Sequence, residues 1–321
     1  MQTNRRWRTA RRVGLASLVA AGAVLASGLA AASGRPAPAT AAQVAHLVAV
    51  SHEITKVSPS VAATLSGPSD IPQRYYPAVA NGCNTVTQCV FGDVKSKRTI
   101  VLFGDSHAMM WVPALDPIAR RNGDRLIVLW APACPVSMVT GYVYVEEVVT
   151  TNAQCASWKT RQIASIHALH PALVLIGERT GAIVHVSNDE WFTHAQWAAG
   201  LLATVRRIQV GLPNTRIGLL EDLVFFDAAV PVCLSAYPTD VQARCSVPNP
   251  NPRYPGQQAA EREVAAATGA MFVRTRQWFC TAHCSPIVGN IVTYYNEGHV
   301  SATYAEFLSV VLGAELSPLL R

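Results

Sequence analysis

Along the chain, short runs of consecutive apolar residues alternate with longer stretches whose apolar positions recur every three or four residues. The runs at 99–103, 126–130, 172–176, 216–220 and 271–273 have strand length and are rich in Val, Ile and Leu. Between them, 109–122, 156–169, 191–210 and 257–268 read as helices, and 301–316 closes the chain as another. Strand runs that are apolar throughout belong to a sheet buried on both faces, and their alternation with helices makes that sheet parallel. The pattern predicts an α/β fold: a doubly wound, flavodoxin-like sheet of about five strands with helices on both faces, for which 2-1-3-4-5 is a common order. Ligands of such sheets sit beyond the carboxyl ends of the strands, where the loops after the first and third strands flank one crevice. Before the first strand, residues 43–65 carry a loose helical spacing broken at Pro59, and 66–84 is turn-rich. Residues 222–252 read as an irregular, proline-bearing insertion.

The N-terminus changes the picture of charge. Arg5, Arg6, Arg8, Arg11 and Arg12 precede an apolar stretch from 13 to 32, and a Pro/Ala-rich segment follows to 42. That is the order of a secretory signal. The apolar stretch is also near the minimum for a membrane span, so an uncleaved anchor is the alternative; its Ala and Gly content favours cleavage. The expected organisation is a signal peptide or N-terminal membrane anchor at 1–42, an extension at 43–82, and one large domain at 83–321. Residues 1–42 hold six arginines and no acid, so without them the formal charge of +6 falls to zero. No argument for a nucleic-acid or anionic-lipid partner survives on net charge, and membrane contact is expected only through an uncleaved N-terminal segment.

Eight cysteines behind a secretory signal read as four disulfides. Proximity pairs Cys83 with Cys89, Cys134 with Cys155, Cys233 with Cys245 and Cys280 with Cys284, although eight cysteines allow about 105 connectivities. The competing reading is a metal held by Cys280, His283 and Cys284. No second Cys-x-x-Cys supports it, so neither a metal nor another cofactor is expected.

The chemistry is expected where the first strand stops. The run 99–103 ends in Gly104-Asp105-Ser106-His107, a strand, a tight turn and a helix start with a serine at the turn. Such a serine stands clear of the sheet, with backbone N–H groups near whatever its oxygen attacks. Its partner is His299, in Asn296-Glu297-Gly298-His299, just before the helix that Ser301 is suited to cap. Ser106 is then a nucleophile and His299 its base. Asp105 is expected to shape the turn, and His107 to be structural. The residue three before the histidine is Asn296, where an aspartate is expected. Its amide oxygen can orient the ring but cannot stabilise an imidazolium; Glu297 and Glu178 are the carboxylates that could stand in. The Ser106 N–H, with Gly104, Asp105, Glu178, Arg179 and Thr180, makes up the oxyanion or crevice candidates.

Together these residues resemble the SGNH hydrolase superfamily, the GDSL-like lipases and esterases. Gly104-Asp105-Ser106-His107 looks like its first block, and Asn296-x-x-His299 like its last, normally Asp-x-x-His. More closely, the chain resembles the SGNH domains fused to membrane acyltransferases of the acyltransferase-three family in actinobacteria. That likeness runs from about 83 to 316 and includes Cys134-Pro135, Cys155-x-x-Trp158, Cys233-Leu234, Trp278-Phe279-Cys280, Gly289-Asn290 and Thr303-Tyr304-Ala305. The resemblance implies an exported serine esterase or O-acyltransferase, freestanding because no multi-span acyltransferase precedes it. Its substrates would be acyl esters, above all acetyl, of cell-envelope carbohydrates or glycolipids, and its intermediate an acyl-serine. The alternative is a catalytically weak module that binds glycan or assists a membrane acyltransferase. Besides Asn296, the chain departs from the family in its second and third blocks, and Ile176-Gly177-Glu178-Arg179 occupies the place of the third.

Overall fold

The computed structural model describes residues 36–139, 143–145, 148–150, 152–180, 184–185, 190–251 and 258–321. The arginine-rich and apolar stretches of the expected signal lie outside the described residues, as far as residue 35. Among the described residues no helix is long and apolar enough to cross a membrane.

Six strands form the central sheet: β1 (Val90–Gly92), β2 (Thr99–Gly104), β3 (Arg125–Trp130), β4 (Leu173–Gly177), β5 (Arg216–Leu220) and β6 (Met271–Val273). Their order is β1-β3-β2-β4-β5-β6. The five expected strands lie parallel in the common 2-1-3-4-5 order. The sixth, β1, is added antiparallel at the β3 edge. It is only three residues long and only partly apolar, too short for a periodicity to declare it.

Every residue of β2 is buried, and alternate side chains feed two separate cores. Ile100 and Leu102 join a core with Leu126, Leu173 and Leu220, whereas Val101 and Phe103 join one with Ile127, Val174 and Ile217. This is the period-two geometry of a strand sandwiched between two helical layers. One layer includes α1 (Ala41–Ala49), α3 (Val112–Asn122), α7 (Ala302–Phe307) and α8 (Ser309–Glu315). The other includes α4 (Asn152–Leu169), α5 (His194–Gln209) and α6 (Gln258–Thr268). The expected boundary after residue 42 falls inside α1, which Thr40 and Gln43 cap reciprocally. Val44, Val48, Val61 and Val79, from the N-terminal extension, sit in the same core as the sheet.

Three expected helices begin or break elsewhere. The 109–122 helix is two, α2 (Ser106–Met109) and α3. Pro113 has no N–H to give the Met109 carbonyl, so the ladder is interrupted there. The helix expected from 191 begins at His194 as α5, behind a capping box made by Thr193 and Gln196. The closing helix is divided into α7 and α8, with Leu308 as the joint. The insertion from 222 contains two short helices, Val230–Ala236 and Val241–Cys245, joined by the Cys233–Cys245 disulfide. The other three disulfides are Cys83–Cys89, Cys134–Cys155 and Cys280–Cys284. The last ties up both thiolates on which the metal reading depended.

Candidate active site

Strands β2 and β4 pair in register with Gly104 opposite Gly177, so the loops leaving them emerge side by side. A β-carbon on Gly104 would lie 1.8 Å from the Gly177 carbonyl oxygen and 2.6 Å from the Ala108 β-carbon. Only glycine lets the serine turn approach its neighbour this closely. Asp105 then caps α2: its Oδ1 accepts the His107 N–H at 2.8 Å, and its Oδ2 the Arg179 N–H at 2.9 Å. The carboxylate pins the two crevice loops to each other. Burial raises the Asp105 pKa, against the nearby His107 and the two N–H bonds.

Ser106 Oγ, partly exposed at the first position of α2, lies 2.8 Å from His299 Nε2. The histidine sits on a loop closed by a Tyr295 N–H bond to the His299 carbonyl and by a bridge between Tyr294 and Val300. Asn296 Oδ1 receives three donors: the Gly298 N–H at 3.0 Å, the His299 N–H at 2.8 Å and His299 Nδ1 at 3.1 Å. Two backbone donors converge on this atom, so it must be the amide oxygen, and it can only accept from Nδ1. Nδ1 therefore carries the proton, and Nε2 faces Ser106 with a lone pair. The loop rests on the segment after β5, where Phe226 donates to the Glu297 carbonyl and Val230 to that of Asn296. Gly298 permits this seating, since a β-carbon there would come within 2.3 Å of the Phe225 ring.

Two groups the sequence reading did not bring together lie beneath His299. His107 Nδ1 and Asp222 Oδ1 are 2.6 Å apart, with both side chains 1% exposed. The His107 ring lies 4.7 Å from that of His299 and stacks on Phe225 at 5.5 Å. Asp222 follows β5 at a carboxyl end of the sheet, and that position was the one available signal for it. Its Oδ2 accepts the Thr180 N–H at 2.8 Å and the Thr180 hydroxyl at 2.9 Å. Burial alone would raise the Asp222 pKa, but His107 and the bonds from Thr180 hold it below the usual carboxylate range.

The crevice candidates divide. The backbone N–H groups of Arg179 and Thr180 are both committed to carboxylates, so neither supplies an oxyanion bond. The Arg179 guanidinium instead lies 4.4 Å over the Phe225 ring. Glu178 turns away from His299. It accepts the Ser137 N–H and hydroxyl, and Lys159 donates to the Ser137 carbonyl at 2.6 Å. Burial pushes Glu178 up to about 7 and Lys159 down to about 8. It is Asn296, rather than Glu178 or Glu297, that bonds to the His299 ring. His299 is held well below the ordinary histidine range by burial first, then by His107 whenever that ring is charged, and by Arg179; Asp222 opposes them. The Tyr295 ring stacks on it at 5.3 Å, and burial raises the Tyr295 pKa.

A family model described as SGNH domain (fused to AT3 domains) matches residues 74–313. No curated protein sequence matches the chain. Among solved structures, it is similar to the periplasmic domain of a lipopolysaccharide acetyltransferase from Salmonella ser. Paratyphi A. That pair has a TM-score of 0.57 and 16% identity, covering 77% of this chain and 95% of the other. A carbohydrate acetylesterase from Sinorhizobium meliloti gives a TM-score of 0.43 and 14% identity, covering 69% of this chain and 99% of the other.

Proposed function

The chain belongs to the SGNH domain family, and from that premise we propose that it is an exported serine esterase or O-acyltransferase. Its substrates are acyl esters, chiefly acetyl, of cell-envelope carbohydrates or glycolipids. The observation that carries this reading is the 2.8 Å approach of Ser106 Oγ to His299 Nε2, with Nδ1 committed to Asn296. Export is supported by the arginine-rich, apolar N-terminus and by the four disulfides.

The reaction follows from the hydrogen bonds. Nε2 takes the Ser106 proton as Oγ attacks the ester carbonyl carbon, and the carbonyl electron pair moves onto oxygen. Ser106 opens a helix, so its N–H has no intrahelical acceptor and is available to that oxyanion. The Arg179 guanidinium, beside the same crevice, supplies a second favourable charge. Collapse of the intermediate expels the alcohol, which takes the proton from Nε2, and leaves an acyl-serine. Water or a sugar hydroxyl then attacks the acyl carbon, giving its proton to Nε2, and Ser106 is regenerated. Asn296 keeps the ring in the productive tautomer throughout.

The test is active-site labelling of the full-length, disulfide-bonded protein with a fluorophosphonate, followed by peptide mapping. The expected adduct is on Ser106, and it is lost when His299 is replaced by alanine. A folded protein that takes no label and releases no acetate from acetylated glycan would instead fit the accessory, glycan-binding role.

The electrostatics also predict a pH profile. His299 must be neutral to accept a proton, and its pKa is lowered, so activity is retained on the acid side and lost only as pH falls through that lowered value. The acid limb of kcat/KM for an aryl acetate is expected below pH 6.5, the ordinary histidine value. An acid limb above 6.5 would mean that the burial of His299 is offset in solution.

A further inference from the structure

Asn296 performs only half of what a triad carboxylate does: it fixes the tautomer but carries no charge to stabilise the imidazolium. A buried carboxylate, Asp222, stands one ring away, behind His107. We propose that Asp222, acting through His107, supplies the negative charge that position 296 lacks, so that orientation and charge come from two different residues. This rests on the reading of Ser106 as nucleophile and His299 as base.

The protonation pattern follows from hydrogen bonding. Asp222 accepts from His107 Nδ1 at 2.6 Å, from both Thr180 groups and from the Leu223 N–H at 2.9 Å. Four donors on one buried carboxylate stabilise its ionised form. His107 Nε2 is buried and has no hydrogen-bond partner among the described residues. A ring with N–H groups on both nitrogens would bury a charged donor without an acceptor, whereas a ring protonated only at Nδ1 buries a bare lone pair. The pair then holds one net negative charge, and its imidazole lies 4.7 Å from that of His299. A proton arriving on His299 meets that charge through an aromatic ring in a water-poor site, where electrostatic effects are large.

The other groups facing His299 do not provide this charge. Ser106 and Asn296 are neutral hydrogen-bond partners, and Tyr295 stacks on the ring as a neutral phenol. Arg179 carries the opposite sign and lowers the His299 pKa. Behind Asp222, burial and the Asp222 charge itself push the Glu261 pKa well up, which favours its neutral form. Asp222 and His107 are therefore positioning residues: neither touches the reacting carbonyl.

The experiment has two arms. In wild-type protein at the pH of the kinetic assays, nitrogen-15 NMR of the imidazoles is expected to show a single His107 proton, on Nδ1 and facing Asp222. In Asp222→Asn, kcat for an aryl acetate is expected to fall about tenfold to a hundredfold with little change in KM, the scale of one opposite charge on a neighbouring titration. The His299 titration moves to lower pH in the same variant. Asn296→Asp, which returns a charge to the ring, is expected to raise kcat more in the Asp222→Asn background than in wild type. A doubly protonated His107 overturns the proposal. So does an unmoved His299 titration in folded Asp222→Asn, or equal gains from Asn296→Asp in both backgrounds. Full hydrolysis by Ser106→Ala would instead remove the catalytic reading, leaving the NMR results to speak for the charge arrangement alone.

Discussion

Replacement of Ser106 by alanine is expected to lower kcat for ester hydrolysis by about four orders of magnitude or more, with the fold unchanged. On the proposed mechanism the loss is large because Ser106 is the group that forms the acyl intermediate, and what remains is binding plus oxyanion stabilisation. The same side chain contributes little to stability. The cap of α2 is Asp105, whose carboxylate already accepts the His107 N–H, so a serine at the first helical position is structurally dispensable. Alanine there is expected to change unfolding free energy by less than about 0.5 kcal/mol. His299→Ala is expected to cost about as much in rate, and the double variant little more than either alone, because the two act as one unit. Steady-state hydrolysis of an aryl acetate, with Tm measured by circular dichroism on the same samples, checks both parts. A rate loss accompanied by a large fall in Tm would assign Ser106 a structural role instead.

Gly104→Ala is expected to have the opposite signature: loss of the fold first, and of activity as its consequence. The added methyl would stand 1.8 Å from the Gly177 carbonyl oxygen, a backbone atom locked in the β2–β4 ladder. No rotamer change relieves that contact, and a second clash at 2.6 Å with Ala108 blocks a shift toward α2. Either the strands separate or the serine turn is displaced. Overpacking of this kind is expected to cost about 3 kcal/mol or more, a large share of the stability of a single domain. Gly123→Ala is the comparison. Gly123 has φ +66° at the end of α3, but nothing lies within 4 Å of an added β-carbon. Only its left-handed backbone is penalised, at about 1 kcal/mol. Urea unfolding of the two variants therefore separates a steric clash at the site from backbone strain outside it. Equal destabilisation would mean that the Gly104–Gly177 approach is looser in solution.

Much of this architecture was readable along the chain, for identifiable reasons. The strand runs are apolar without interruption because both faces of each strand are covered, as Ile100 and Val101 show by entering different cores. A pattern of that strength needs no tertiary information to declare a covered parallel sheet, although the order of the strands within it comes from the structure. Ser106 and His299 could be matched across nearly two hundred residues because each stands at an element boundary with its own local grammar, Gly-Asp-Ser-His in one case and Asn-x-x-His before a helix cap in the other. The four cysteine pairs were legible because each closes a short segment. The local chemistry of the turn was legible too: Asp105 does bond to the His107 N–H there.

What the chain alone determined is thus the covered parallel sheet, the serine turn at its carboxyl edge and the histidine loop that faces it. Periodicity, glycine, proline and capping chemistry act over a few residues and are written in order. What only the tertiary structure decided is who pairs with whom in the buried space below the serine. It committed the Arg179 and Thr180 N–H groups to carboxylates, turned Glu178 toward Ser137, and set Asp222 against His107. Those choices depend on burial, which makes every polar group find a partner among whatever the packed strands bring near, and proximity across 115 residues leaves no periodic trace in a sequence.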